Sequence, residues 1–236
     1  MNLVDESKVR RNLTRKRRAT MLKKEIISPK QAASKLKDGM TIMVGGFMTI
    51  GTPEALVNAI AESGVKNLTI ICNDAGLPNK GVGKLIENGQ VSKLIASHIG
   101  LNRIAGEKMN SGEMEVDLIP QGTLAEQIRA AGAGLGGVLT KTGLNTLVEE
   151  GKQKVTVAGE EFLLEEPIKA DVALLKSSIT DVYGNTSFNK TTANFNPVMA
   201  TAAEMVFVEP DVISEPNEVD EKFFTLPSVL IDFIVR

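Results

Sequence analysis

The chain has 236 residues, 42% hydrophobic and 24% charged, with a formal net charge of −2, a composition that excludes a fibre or a disordered chain. Residues 1–24 hold nine Lys or Arg against Asp5 and Glu6, a net +7, and the remainder carries −9, so the body is acidic and lacks the basic face that nucleic acid needs. One cysteine (Cys72) excludes an intrachain disulfide, one histidine (His98) leaves too few ligands for an ordinary zinc site, and no apolar run approaches the ~20 residues of a membrane span.

These features predict a soluble, cytoplasmic protein. Residues 1–24 read as a flexible basic extension and 25–236 as one domain. The extension has no apolar h-region, which excludes a secretory signal; its Arg-rich composition also fits an organellar transit peptide, and Met21 is an alternative start. Ser28-Pro-Lys-Gln31 is a capping box with Pro at the first helical position, predicting a helix over 29–37. A strand follows over 40–44, then a helix opened by Thr52-Pro-Glu54 and closed by Gly64, then a strand over 68–72. That order is a βαβ unit, which requires a right-handed crossover and parallel strands.

Further strands are expected at 93–97, 116–119, 172–176 and 205–208. Thr123-Leu-Ala-Glu126 reads as a second capping box, starting a helix through Arg129, and Asn196-Pro197 opens another. Residues 154–164, turning at Ala158-Gly159, read as a hairpin, and 180–190 read similarly. The fold class is α/β: an open, mostly parallel sheet flanked by helices, with a small β-hairpin extension.

Two phosphate-binding motifs fail on spacing. Gly81-Val-Gly-Lys84 resembles the end of a P-loop, but Pro78 stands where the first Gly belongs and Leu85 where Ser or Thr belongs. Gly45, Gly46 and Gly51 lack the dinucleotide spacing, and Cys72 and Asn73 stand where the acidic residue should end the next strand. Cys72 ends an apolar run and reads as a buried small residue, since such surroundings raise a thiol's pKa. His98 at a strand end is a general-base candidate or a structural hydrogen-bond partner.

What remains is the run from Asp38 to Pro53. Its Asp38, Gly39, Ile42, Met43, Val44, Gly45, Gly46, Phe47, Gly51 and Pro53 resemble the N-terminal signature of family I coenzyme A transferases. Segments in the same order resemble that family further along: Ile95-Ala-Ser-His-Ile-Gly100, Asn110-Ser-Gly-Glu-Met-Glu-Val116, Pro120-Gln-Gly-Thr-Leu-Ala-Glu126, Gly132-Ala-Gly-Leu-Gly-Gly137, Val148-Glu-Glu-Gly-Lys152 and Asn194-Phe-Asn-Pro197. The resemblance runs from about Met21 to the last residue and is nearest to A (alpha) subunits of the acetate, acetoacetate or butyrate type. The succinyl-CoA-dependent 3-oxoacid enzymes are the next nearest.

The resemblance implies a ping-pong transfer of coenzyme A between carboxylic acids through a glutamyl-CoA thioester, splitting one difficult exchange into easier covalent steps. The family carries that glutamate in a Ser-Glu-Asn-Gly motif of its B (beta) subunit, and no such tetrapeptide occurs here: Glu149-Glu150 and Glu113 lack its context. The implied partner is therefore a B subunit, in an A2B2 heterotetramer, with acyl-CoA and small carboxylic acids as substrates, no tightly bound cofactor, no metal, no nucleic acid and no membrane. The implied coenzyme A loop is Gly45, Gly46, Phe47, Met48, Thr49, Ile50 and Gly51, with the N–H groups of Gly45, Gly46 and Phe47 facing the thioester oxyanion and Phe47 shielding the pantetheine arm. Gln121 either hydrogen-bonds the partner's glutamate or an acyl oxygen, or satisfies loop backbone; Glu113 is a further candidate, with a surface salt bridge as its other reading. A non-catalytic acyl-CoA or small-anion binding module is the alternative from another class. Two departures from the family are Ala193, where Arg is common before Asn-Phe-Asn-Pro, and Ser177-Ser178, where larger residues are usual.

Overall fold

A computed structural model describes residues 22–216 and 218–236; most of the basic extension, residues 1–21, lies outside them. In chain order the elements are β1 (Glu25–Ile27), α1 (Pro29–Ala33), β2 (Thr41–Val44), α2 (Glu54–Ser63), β3 (Leu68–Cys72), α3 (Gly83–Glu87), β4 (Val91–Ala96), α4 (Arg103–Ser111), β5 (Glu115–Leu118) and α5 (Gln121–Gly132). Then come β6 (Val138–Thr140), β7 (Lys154–Val157), β8 (Glu160–Glu165), β9 (Ala170–Asp181), β10 (Thr186–Ser187), α6 (Asn196–Met199), β11 (Ala203–Ser214) and β12 (Phe233–Val235).

The main sheet runs β1-β12-β11-β9-β2-β3-β4-β5, parallel throughout, with β10 added antiparallel to β9. Parallel strands are buried on both faces, and successive residues point to opposite ones. Ile42 and Val44 accordingly join Ile70, Leu94 and Leu174 beneath α2, α3 and α4, while Met43 joins Ile71, Ala173 and Val208 beneath α5 and α6. The strand at 40–44, whose apolar run gives no sign of two faces, thus contributes to both cores.

The small antiparallel sheet β6-β8-β7 contains the expected hairpin, turning at Ala158 (φ 52°) and Gly159 (φ 82°). Glu165, buried in β8, accepts from Lys152 Nζ at 2.7 Å just before β7 and from Gln127 Nε2 of α5 at 3.2 Å, and the second bond ties the small sheet to the body.

Several boundaries differ from the expectations for identifiable reasons. The Ser28 capping box forms, but α1 stops at Ala33 because the next hydrogen bonds shorten to three-residue spacing, Lys35 N to Ala32 O and Leu36 N to Ala33 O. The second capping box does not form: α5 starts at Gln121 behind Pro120, and the Thr123 hydroxyl is buried inside the helix with no hydrogen-bond partner. Strands β9 and β11 extend to 12 residues each, well past their apolar centres. The polar continuation of β9 is stabilised by hydroxyls, with Ser177 Oγ 2.8 Å from Thr180 Oγ1 and Thr180 Oγ1 3.1 Å from Thr186 Oγ1, while that of β11 is held by backbone pairing to β9. Within the expected extension, Lys24 N donates to Val182 O and Lys23 pairs with Glu215, so these two residues engage the body.

Candidate functional site

Strand order reverses where β2 lies between β3 and β9, since the chain steps outward from β2 to β5 and returns to β9 on the other side of β2. In open parallel sheets the crevice at the carboxyl ends of such strands gathers ligands. The segment leaving β2 there is Gly45 to Gly51.

This segment is a tight hairpin. Phe47 and Ile50 exchange two backbone hydrogen bonds of 2.9 Å around Met48 (φ 47°) and Thr49 (φ 67°), both left-handed without being glycine. Gly45 N donates to Leu174 O at 3.0 Å, Gly46 N to Asn194 Oδ1 at 3.1 Å, and Met48 N to Asp74 Oδ2 at 2.8 Å. The donors expected to face an oxyanion, at Gly45, Gly46 and Phe47, are therefore spent inside the chain, and Gly45 and Gly46 are themselves buried. The N–H groups of Thr49 and Gly51 are the loop's unengaged donors among the described residues. Phe47, Met48 and Ile50 turn large apolar side chains to solvent.

The glycine pair is required by two neighbours, one distant in sequence and one just after the loop. A Cβ on Gly45 would overlap Asn196 Oδ1, and one on Gly46, whose φ of 126° already disfavours a side chain, would overlap Thr52 Oγ1. Asn196 and Asn194 clamp the hairpin from one side. Asn196 Nδ2 donates to Gly51 O and Thr192 O, both at 2.9 Å, while its Oδ1 accepts from Lys176 N at 3.0 Å. Asn194 Nδ2 donates to Ile50 O at 3.0 Å.

On the other side, the carboxyl ends of β3, β4 and β5 bring up Asn73, His98 and Gln121. Gln121 Nε2 donates to Asn73 Oδ1 at 2.7 Å, and Asn73 Nδ2 to Asp74 Oδ2 at 3.0 Å, so Gln121 is linked through two side chains to the glycine loop. His98 stands exposed at this end, its backbone carbonyl accepting from Ala75 N. Glu113 lies before β5, at the opposite end of the sheet, in an exposed pair with Lys108 at 3.1 Å; that ammonium, followed by the Ser111 hydroxyl, holds its carboxyl below the usual range. Glu149 is likewise held low, by Asn145 N–H and Lys154, away from the crevice in the connection to the small sheet. Ala193 is exposed one residue before the Asn194 clamp, and Ser177 and Ser178 are buried behind it.

Helix α2 follows the loop, but its first turn is not an open anion site. Pro53 supplies no side-chain cap, nor does Thr52, and the Leu56 N–H instead donates 3.0 Å to Glu209 Oε2 from β11. Lys176 lies 3.4 Å from Glu209 and 2.8 Å from Asp211; burial works against its charge, but these carboxylates outweigh it and raise its pKa. The negative charge that a helix start attracts is already in place.

Cys72 lies under the loop, and burial, aided by the Asp74 charge, pushes its thiol well above the ordinary value. The expected result with a thiol reagent at pH 8 is no labelling of the native chain and one modified sulfur per chain after denaturation; rapid native labelling would contradict the buried reading.

Asn73, Asp74, Asn194 and Asn196 are the site residues that sequence reasoning passed over or recorded only as part of a motif. Among the described residues, no three or more His, Cys, Asp or Glu are grouped to hold a metal, and no helix is long and apolar enough to cross a membrane.

Comparison with known proteins agrees with this architecture. The family described as Coenzyme A transferase matches residues 26–236. The chain is 53% identical over 212 residues to the acetoacetyl-CoA:acetate/butyrate CoA transferase alpha subunit of Clostridium acetobutylicum, covering 90% of this chain and 97% of that protein. It is 50% identical over 214 residues to the acetate CoA-transferase subunit alpha of Escherichia coli K12, covering 91% and 97%. An acyl-CoA transferase of Escherichia coli O157:H7, solved as a thioester complex with CoA, superposes with a TM-score of 0.83 at 21% identity, over 90% of this chain and 47% of that one, a likeness of fold.

Proposed function

Because this chain belongs to the coenzyme A transferase family, we propose that it is the alpha subunit of an enzyme that moves coenzyme A between a short-chain acyl-CoA and a carboxylic acid of the acetate, acetoacetate or butyrate class. The observation that carries this reading is the identity to an alpha subunit of that class over nearly that protein's full length. Transfer follows a ping-pong route: a glutamate of the beta subunit attacks the thioester to give a mixed anhydride and free CoA thiolate, the thiolate attacks the glutamyl carbonyl and releases the first acid, and the second acid then collects the CoA. The absence of a Ser-Glu-Asn-Gly tetrapeptide supports placing that glutamate on a beta subunit, and the assembly proposed is a cytoplasmic A2B2 heterotetramer.

In this reading the chain supplies Gly45 to Gly51 as its coenzyme A loop. Exposed Phe47, Met48 and Ile50 offer an apolar surface for the pantetheine arm, and the unengaged Thr49 and Gly51 N–H groups are the donors for a developing oxyanion. Gln121, at the head of α5, keeps one side-chain N–H to donate to the reacting carboxylate. Coenzyme A is substrate and no further cofactor is required.

The test is exchange of coenzyme A between acetyl-CoA and acetoacetate or butyrate, measured with this chain alone and with a co-expressed beta subunit. Activity should appear only in the pair and vanish when the beta subunit's glutamate becomes alanine. Exchange by this chain alone would overturn the division of labour; a paired complex that binds acyl-CoA without exchange would favour the binding-module reading.

A further inference from the structure

The proposed mechanism leaves one buried charge beside the loop without a task. Asp74 is 7% exposed, has no cationic partner among the described residues, and lies immediately after β3 at the switch-point crevice. Its carboxylate is instead filled by N–H donors: Oδ2 takes Met48 N at 2.8 Å and Asn73 Nδ2 at 3.0 Å, and Oδ1 takes Gly76 N at 3.0 Å. An uncompensated carboxylate in such a place is costly unless several donors hold it.

Donor polarity then propagates along the chain of side chains. A carboxylate only accepts, so the end of Asn73 that meets Asp74 must be its NH2 group. That leaves Asn73 Oδ1 pointing the other way, and the group it meets must donate. Gln121 therefore presents Nε2 to it, at 2.7 Å, and its amide cannot turn over without setting two oxygens against each other. Ser97 anchors the residue in the middle of the relay, its Oγ donating 2.7 Å to the backbone carbonyl of Asn73. The same carboxylate holds Met48 in its left-handed conformation through the N–H.

We infer that Asp74 is a positioning residue that acts through Asn73 to fix the orientation of the Gln121 amide, and through Met48 to fix the shape of the glycine loop, so that both walls of the crevice are set by one buried carboxylate. The inference rests on the transferase reading for its effect on rate, but the relay itself does not depend on it. An asparagine at position 74 has one acceptor and one donor end, so it cannot satisfy three N–H groups without turning one of them away.

The experiment is a double-mutant cycle on the reconstituted pair, with Asp74→Asn, Gln121→Ala and both together. Asp74→Asn should lower kcat about tenfold when Gln121 is present and less than about threefold when it is alanine, because the coupled part of the loss is already gone. Equal fold losses in the two backgrounds overturn the relay, since a general structural defect multiplies through. Should Asp74→Asn fail to fold, Asn73→Ala replaces it in the same cycle and breaks the link without touching the loop's N–H contact. A second readout needs no activity: the side-chain NH2 resonances of Gln121 in the 15N-labelled chain should move and lose exchange protection in Asn73→Ala. Unchanged resonances overturn the relay. Moved resonances in a pair whose wild type shows no exchange sustain the relay and overturn the transferase reading instead.

Discussion

Gly46→Ala should abolish most coenzyme A exchange in the reconstituted enzyme, by about 100-fold or more, since a misplacement of about 1 Å in a positioned loop has an effect of that size. Two causes add. The torsion of 126° costs a residue with a side chain about 1–3 kcal/mol, and the new methyl overlaps Thr52 Oγ1 behind the loop. The second cause can be relieved separately: Thr52→Ala removes the obstructing hydroxyl and leaves the torsion. Thermal midpoints of the single and double variants therefore divide the cost, and the double variant should recover part of the stability while remaining impaired in exchange. If Gly46→Ala alone keeps wild-type exchange and stability, the loop does not need the shape seen here.

Asn196→Ala should destabilise the chain by about 3 kcal/mol, from three hydrogen bonds at about 1 kcal/mol each. For a chain of this length that is a fall in Tm of about 6–12 °C, read by calorimetry. The side chain is fully buried, so its removal leaves the Lys176 N–H and the Gly51 carbonyl without their partner. Exchange should fall as well, because Gly51 is the C-terminal anchor of the hairpin. Asn196→Asp is the informative companion: it keeps the acceptor for Lys176 N but sets an oxygen against two carbonyl oxygens, and it should be at least as damaging as alanine. A midpoint within about 2 °C of wild type for Asn196→Ala would mean that the clamp does not hold the loop.

These effects mark how far the sequence was legible. The βαβ order, the hairpin at Ala158-Gly159 and the loop after β2 follow from apolar runs, glycine and capping residues, all local signals. The meaning of the glycine pair was not local. The resemblance implies that Gly45 and Gly46 lend their N–H groups to an oxyanion, whereas in the structure their missing side chains make room for Asn196 and Thr52, and the former is distant in sequence. Thr123 misled for a related reason: its spacing to Glu126 matches a capping box, but Pro120 already sets the helix start and tertiary packing buries the hydroxyl. Strands β9 and β11 were read at their apolar centres only, because Ser177, Ser178 and Thr180 carry no hydrophobic signal and join the sheet through hydroxyls and backbone pairing. Asn73 and Asp74 carry no signal at all, since an Asx pair after a strand is what an ordinary turn also uses.

The pairing of β1 with β12 joins residues 25–27 to 233–235, with Arg236 N donating to Ile27 O. Synthesis is vectorial, so β1 emerges from the ribosome without β12, its one neighbour in the sheet among the described residues, and must wait for some 200 further residues, about 10–40 s at typical elongation rates. Once made, β11 in turn lacks its outer neighbour for the roughly 20 residues that separate it from β12, about 1–4 s, and its edge stays open meanwhile. Strand β12, inserted between β1 and β11, is the one that closes both edges.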